Sequence, residues 1–425
     1  MQTPFSLRAW TREAISPRFL AVICLSASGV SMRSKYVIIC HLHELTLKGK
    51  NRGRFERRLY KNIRTQLGGL PFKSVSNKKA RVVVAGVDAS LWDRYSSRLV
   101  GVMGIIGCSL MRITEPTMEN IREVVKDLVS QTSFNSFRVS SRRSDKKFPV
   151  KTPDINIEIG SMVQKLSGKP VSLRNYDCNI AIEIIEESAF VGMNKERCFG
   201  GLPVGSTEKG LSLISSGLDS PVASFHMIRR GMQLDYIHFH SAPATSPQSI
   251  ENVEKLVDRL CHYQIESTLY IVPLLKIQEK IMKHAVDSNW VILFRRAMLK
   301  LATKIAHKNR INVLVTGESV GQVSSQTISN IRSVDHASDL PILRPLAGTN
   351  KDEIMELAKK IETYNISNLP HQDCCTFFLP PSPETKSKLD LVLMDESKID
   401  LGNLMEDAEN NTEIKTIKYN YEEAT

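Results

Sequence analysis

The sequence predicts an α/β protein in three parts: two small α/β units, then a larger doubly wound parallel sheet. Three observations predict it. From Leu211 onward, apolar strands alternate with helices of about a dozen residues, the pattern of parallel strands joined by crossover helices. Before that point, strands and helices come in two shorter series, divided near residue 110 and closed by a glycine-rich run at 200–205. Charge follows the same division. Of 425 residues, 1–200 hold 33 Lys+Arg against 17 Asp+Glu, 201–383 hold 19 against 17, and 384–425 hold 5 against 11. The formal +12 thus resides wholly in the first half, as in a polyanion-binding module joined to a nearly neutral one. A hydrophobic fraction of 42% excludes wholesale disorder, and the lack of a clean run of about 18 apolar residues excludes a polytopic membrane protein.

Residues 1–31 carry Arg8, Arg12 and Arg18 ahead of a short apolar stretch at 19–24. They fit a transit segment, and equally a mis-assigned start ahead of Met32, so they stand outside the fold argument. In the unit 32–110, 36–40 reads as a strand, 41–50 as a loop with Lys48 and Lys50, and 51–67 as a helix with Phe55, Leu59, Ile63 and Leu67 four residues apart. The remaining helix faces carry Arg52, Arg54, Arg57, Arg58, Lys61 and Arg64 with one acid, Glu56, which suits a phosphate-facing helix as well as a solvated one. With a strand at 81–87 and a helix at 118–132, this strand–helix–strand–helix order suggests a ferredoxin-like α+β unit ending near 110.

In the unit 111–204, helices read at 118–132 and 155–166, and strands at 137–140, 171–173 and 180–185. A loop with Arg142, Arg143, Lys146, Lys147 and Phe148 offers cations and an aromatic ring for RNA, and a solvated surface alone would explain it equally well. The run at 200–205 reads as a hinge. In the unit 205–390, strands read at 211–214, 234–239, 267–272 and 313–316, with helices at 221–230, 249–262, 293–308 and 351–361. Ligand is expected at the carboxyl ends of such strands. Residues 391–425 read as an acidic tail, without a further strand–helix series. The eight cysteines are irregularly spaced and include no CxxC pair, which indicates reduced thiols and no structural zinc.

Leu213-Ile214-Ser215-Ser216-Gly217-Leu218-Asp219-Ser220-Pro221 joins the first of these strands to its helix. Small residues let backbone N–H groups converge on an anion, and Ser220 and Pro221 suit the N-cap and first turn. The run lacks the Gly-Lys-Ser/Thr ending of a Walker loop and resembles the Ser-Gly-Gly-x-Asp-Ser loop of the PP-loop ATP pyrophosphatases, with Ser216 in place of the first glycine. Further motifs follow in order: Leu45-Thr46-Leu47-Lys48-Gly49-Lys50-Asn51-Arg52, the basic run 143–149, 200–205, His238-Phe239-His240-Ser241, Arg295-Arg296, and Thr316-Gly317-Glu318-Ser319-Val320-Gly321-Gln322 leading to Gln326. Together they closely resemble the tRNA 4-thiouridine synthetases from about residue 32 to 389.

That resemblance implies a ferredoxin-like domain, a THUMP RNA-binding domain and a PP-loop catalytic domain. It implies adenylation of O4 of uridine 8 in tRNA by ATP, followed by displacement of AMP by sulfur. The residues implied at the nucleotide are Leu213, Ile214, Ser215, Ser216, Gly217, Ser220, His238, Phe239, Arg295 (with Arg296 adjacent), Gly317 and Gln326. Asp219 would hold Mg²⁺ or orient the loop, although capping alone also accounts for it. Lys48, Lys50, Arg52, Arg57, Arg58, Arg142, Arg143, Lys146 and Lys147 would meet tRNA. Pro370-His371-Gln372-Asp373-Cys374-Cys375 resembles the family's sulfur-handling segment and favours Cys374, although adjacent buried cysteines would also explain the pair. The chain shows no rhodanese domain, which implies sulfur supplied directly by a cysteine desulfurase. A homodimer is compatible with the family, and the cytoplasm is the expected compartment, or an organelle if 1–31 is a transit segment. The competing reading is a tRNA-binding protein whose loop is impaired by Ser216.

Overall fold

The computed structural model describes residues 35–47, 51–144, 147–370 and 378–420. Residues 1–34, Lys48, Lys50, Lys146, and His371, Cys374 and Cys375 lie outside the described residues.

The first half is built on β1 (Tyr36–Leu42), α1 (Arg52–Gln66), β2 (Ser74–Lys78), β3 (Arg81–Ala85), α2 (Trp92–Val100), β4 (Ile105–Thr114), α3 (Met118–Ser130), β5 (Phe137–Arg143), α4 (Thr152–Ser167), β6 (Cys178–Ile185), β7 (Ser188–Met193) and β8 (Glu196–Arg197). The two small units share one sheet, in the order β2-β3-β1-β4-β7-β6-β5, with β8 also on β4. The sequence division near 110 falls inside β4, which pairs with β1 along one edge and with β7 and β8 along the other. Strand β4 reads poorly in sequence because Gly107 and Ser109 interrupt its apolar run. One sheet face buries Ile38, Cys40, Val82 and Val84 against Leu59 and Ile63 of α1, the period-four stripe. On the opposite face Val37, Ile39 and Val83 meet Met111, Ile185 and Phe190, so the two halves of the sheet pack on each other. The polar edge of this contact holds His41, whose Nε2 lies 2.5 Å from Glu183 Oε1, and Arg81, 2.9 Å from the other Glu183 oxygen. Burial, then the charges of Lys195, Arg81 and Arg142, push the His41 imidazole down to about 3.

The run 200–205 is not a free hinge. Gly104 N–H donates to Gly200 O (2.8 Å), Gly201 N–H to His43 Nδ1 (3.0 Å), Leu202 N–H to Arg229 O (3.0 Å) and Gly205 N–H to Gly231 O (2.8 Å). Gly201 shows why glycine is there. Its φ is +78°, and a Cβ would fall 2.1 Å from Arg229 O. Asn62 Nδ2 donating to Val204 O and Gln66 Nε2 donating to His262 O fasten α1 to the second half.

That second half comprises β9 (Lys209–Leu213), α5 (Asp219–Arg229), β10 (Gln233–His240), α6 (Gln248–Gln264), β11 (Glu266–Pro273), α7 (Leu275–His284), α8 (Trp290–Lys308), β12 (Leu314–Val315), α9 (Ile328–Asp335), β13 (Ile342–Leu343), α10 (Lys351–Lys360), α11 (Tyr364–Ser367), α12 (Leu389–Glu396), α13 (Gly402–Asn410) and β14 (Glu413–Lys418). The sheet order is β13-β12-β9-β10-β11-β14, parallel except for β14. From β9 the chain winds outward through β10 and β11, then returns to lay β12 and β13 on the other side. The strand order therefore reverses between β9 and β12, and their carboxyl ends open a crevice. The acidic stretch beyond 384, in which the sequence shows no further strand–helix series, folds into α12, α13 and β14. Three of its acids pair with cations of α7 and α8: Glu396 with Arg296 and Lys300, Glu409 with Lys304 and Lys308, and Asp407 with Lys276.

Candidate functional site

The segment after β9 turns at the crevice into α5. Helix α5 begins at Asp219, two residues earlier than an N-cap at Ser220 would require. Ser220 is a helical residue, and its hydroxyl turns back to accept from Ser215 N–H at 2.9 Å and lies 3.2 Å from Ser215 O. The hydroxyl therefore closes the loop on itself instead of capping the helix. Ser216 is only 2% exposed, and its backbone is not among those with positive φ, so this position does not demand glycine. Gly217 is not conformationally required either, because a Cβ there would meet nothing closer than Ser215 Oγ at 3.5 Å. The lack of a side chain leaves room on the open side of the loop.

The segment after β12 supplies the opposite wall. Gly317 packs so closely on the start of α5 that a Cβ would lie 2.6 Å from Ser220 N and 2.9 Å from the Asp219 carbonyl carbon. Next to it, Glu318 is held by Arg295 Nη1, by Arg344 Nε at 2.5 Å and by the Thr316 hydroxyl at 3.1 Å. Burial alone would raise this carboxyl, but Arg295 and Arg344 outweigh it and hold the group below its ordinary value. Asp335 ties Arg344 from its far side. Arg295 thus reaches the crevice wall through Glu318. The adjacent Arg296 turns into the core, 2% exposed, onto Glu396 and Ser333 O, and takes no part in the crevice.

Asp219 stands where the two walls meet. Its Oδ2 accepts from Gln322 Nε2 at 3.0 Å, while its Oδ1 is buried with no hydrogen-bond partner among the described residues. Gln326 Oε1 is buried and unpartnered in the same sense. On the neighbouring strand, His238 Nδ1 lies 3.0 Å from Ile214 O, and both residues are buried. Phe239 and Leu213 pack in the apolar cluster beneath.

The structure therefore brings together Ser215, Ser216, Gly217, Asp219, Ser220 and Gly317 directly, and Ile214 with His238. Two residues missed by sequence reasoning join them. Gln322 holds Asp219, and Ser367 at the end of α11 donates to Gly217 O at 3.1 Å. Gln322 stood inside a quoted motif, whereas Ser367 gave no local signal. Among the described residues no group of three His, Cys, Asp or Glu is placed to hold a metal.

The cationic candidates lie elsewhere. On α1, Arg57 is exposed, Arg52 pairs with Glu56 at 2.8 Å, and Arg58 packs near Gly205. Arg142 and Arg143 end strand β5 and do not lie in a loop. Arg142 is exposed, but Arg143 donates to the carbonyls of Phe148 and Val150. Phe148 is buried among Ile155, Ile159 and Val163, so its ring is not presented to a base. Lys147 is exposed.

Comparison with known proteins matches three family models along the chain: the ThiI ferredoxin-like domain at 37–109, the THUMP domain at 115–194, and the thiamine biosynthesis protein (ThiI) model at 205–401. The last extends past 390 into the acidic stretch. The chain is 39% identical over 387 residues to a protein of Alkaliphilus oremlandii named "Probable tRNA sulfurtransferase", covering 90% of this chain and 98% of that one. A protein of the same name from Thermus thermophilus is 34% identical, covering 88% and 92%. A crystal structure of a 4-thiouridine synthetase–RNA complex with bound ATP aligns with a TM-score of 0.80 and 32% identity, over 90% of this chain and 100% of that one. A Pyrococcus horikoshii structure, at 21% identity and a TM-score of 0.57, shares the fold. The three-part architecture, the loop at the switch point and these near-complete alignments make the chain a member of the tRNA sulfurtransferase family.

Proposed function

We propose that this protein is an ATP-dependent tRNA sulfurtransferase that converts uridine 8 of tRNA to 4-thiouridine. The observation that carries the reading is the convergence of Ser215–Ser220 and Gly317 at the carboxyl ends of β9 and β12, where a nucleotide binds in sheets of this topology. In this reading the loop's N–H groups and the start of α5 receive the phosphates. Arg295, steadied by Glu318, adds positive charge at the wall, and Gln326 and the His238–Ile214 pair meet the nucleoside. O4 of the uridine attacks the α-phosphorus and pyrophosphate leaves. Sulfur then attacks C4 and AMP leaves. Cys374 either carries the sulfur as a persulfide, whose terminal sulfur bonds to C4 and is freed when a thiol of the donor takes Cys374 into a disulfide, or attacks the donor's persulfide, forming that disulfide and releasing the sulfide that attacks C4. The sulfur comes from a cysteine desulfurase.

Mg²⁺ fits the site on one observation, the buried Asp219 Oδ1, which has no partner among the described residues. Bound there, Mg²⁺ supplies charge neutralisation to the phosphates. The exposed cations of α1 and Arg142 would grip the tRNA backbone. The ordinary backbone of Ser216 favours a working loop over an impaired one.

Incubation with ATP, Mg²⁺, a desulfurase, cysteine and unmodified tRNA should yield AMP and thiolated uridine together. Formation of neither sinks the enzyme reading. Cys374→Ala should retain AMP formation and lose thiolation; unchanged thiolation would move the role to Cys375 or elsewhere. Native mass in solution tests the homodimer. Among the described residues no helix is long and apolar enough to cross a membrane. Mass spectrometry of the mature N-terminus would decide between a cytoplasmic protein starting at Met32 and an organellar one.

A further inference from the structure

Asp219 is held by a neutral group. Gln322 Nε2 donates to Oδ2 at 3.0 Å from the segment after β12, across 103 residues of sequence. The turn that bears Gln322 is itself closed: Gly321 N–H donates to Gln326 O at 3.0 Å, and Gln322 N–H to Ser319 O at 3.3 Å. Gly321 sits at φ +77°, and a Cβ there would meet nothing within 4 Å, so glycine serves the backbone conformation of the turn and not a close approach. On the other side Gly317 presses against Ser220 N, which fixes how far the two segments stand apart.

The choice of donor matters. A lysine or arginine at 322 would position Asp219 equally well but would cancel its charge. An amide orients the carboxylate and leaves the charge intact. It also occupies one oxygen only, and the other, Oδ1, remains buried without a partner among the described residues. A buried carboxylate oxygen left unsatisfied is costly unless a ligand completes it. We propose that Gln322 is a positioning residue for nucleotide binding, aiming Asp219 Oδ1 at the divalent cation that accompanies the ATP phosphates. This rests on the sulfurtransferase reading above and adds to it a residue that acts through another. The role predicts a specific defect: loss of the amide should weaken the cation's share of nucleotide binding and leave the nucleotide's own contacts in place.

The test is equilibrium binding of ATP to the full chain while Mg²⁺ is titrated, with the thermal midpoint measured alongside. In Gln322→Ala the half-saturating Mg²⁺ concentration should rise about tenfold, the scale of one hydrogen bond to a charged group. ATP binding without Mg²⁺ and the thermal midpoint should not change. Gln322→Glu keeps the shape but, when ionised, cannot donate, and it sets a like charge beside Asp219. Its Mg²⁺ requirement should rise at least as far as that of the alanine variant. An unchanged Mg²⁺ requirement in both folded variants overturns the proposal. So does an equal loss of ATP binding with and without Mg²⁺, or a lowered thermal midpoint that accounts for the whole effect. If the unaltered protein binds no ATP at any Mg²⁺ concentration, the functional reading itself fails and this inference falls with it.

Discussion

Replacing Gly317 by alanine would force a methyl group to within 2.6 Å of the Ser220 nitrogen, where both neighbours are backbone and neither can swing away. The cost should be about 1–3 kcal/mol of overpacking, read as a lower thermal midpoint, together with a loss of ATP binding of tenfold or more. Ser216→Gly should bring no rescue. Because Ser216 holds an ordinary backbone conformation, ATP affinity should stay within about twofold, and a large gain would favour the impaired-loop reading. Ser367→Ala removes the hydroxyl that donates to Gly217 O and should cost about 1 kcal/mol of loop order, seen as a several-fold rise in KM for ATP with kcat little changed. These residues differ in how readable they were. Ser215, Gly217, Asp219 and Ser220 are contiguous, so the strand–loop–helix pattern around them was visible. Ser367 acts on a carbonyl 150 residues away, and one hydrogen bond over that separation leaves no periodic trace.

At the level of elements, α12 and α13 show how a run of acids misleads. Acidity alone suggests a solvated tail, but these acids face a matching row of cations on α7 and α8. Arg296 is 2% exposed and depends on Glu396 for compensation. Glu396→Ala should therefore cost about 3 kcal/mol, measured by denaturant unfolding, because it strands a buried guanidinium. Lys300→Ala, at the more exposed edge of the same cluster, should cost under about 1 kcal/mol. The long periodic elements, α1, α6 and α8, were legible because burial on one face imposes a period. Strands β2, β7 and β13 were not, since each is short and takes its place from neighbouring strands more than from its own residues.

Across the whole molecule, two imidazoles tie the parts together in neutral form. His41 lies between the two packed halves of the first sheet. His262, which burial and then Arg259 push down to about 3, meets the Tyr263 and Tyr419 rings edge to face and crowds Gly101. Unfolding raises both to about 6.5, so the unfolded chain binds more protons and stability falls as pH drops from about 6.5 toward 3. His262→Gln should flatten part of that loss, by on the order of 1–2 kcal/mol near pH 5, in a series of thermal midpoints against pH. The charge asymmetry makes a separate prediction. Removing the exposed Arg54 and Arg57 should lower the slope of log tRNA affinity against log salt by roughly 1.5–2, while Arg143→Ala should act through stability, since its guanidinium holds loop carbonyls. The antiparallel pairing of β14 with β11 also orders events during synthesis. The eight-stranded sheet is complete once residue 197 has left the ribosome, whereas the edge of the second sheet stays open until residue 418 emerges. At roughly 5–20 residues per second that interval lasts about 10–45 s. The nascent protein therefore has its first sheet in hand well before its catalytic half can close, and that unsealed edge is the stretch a chaperone would have most reason to guard.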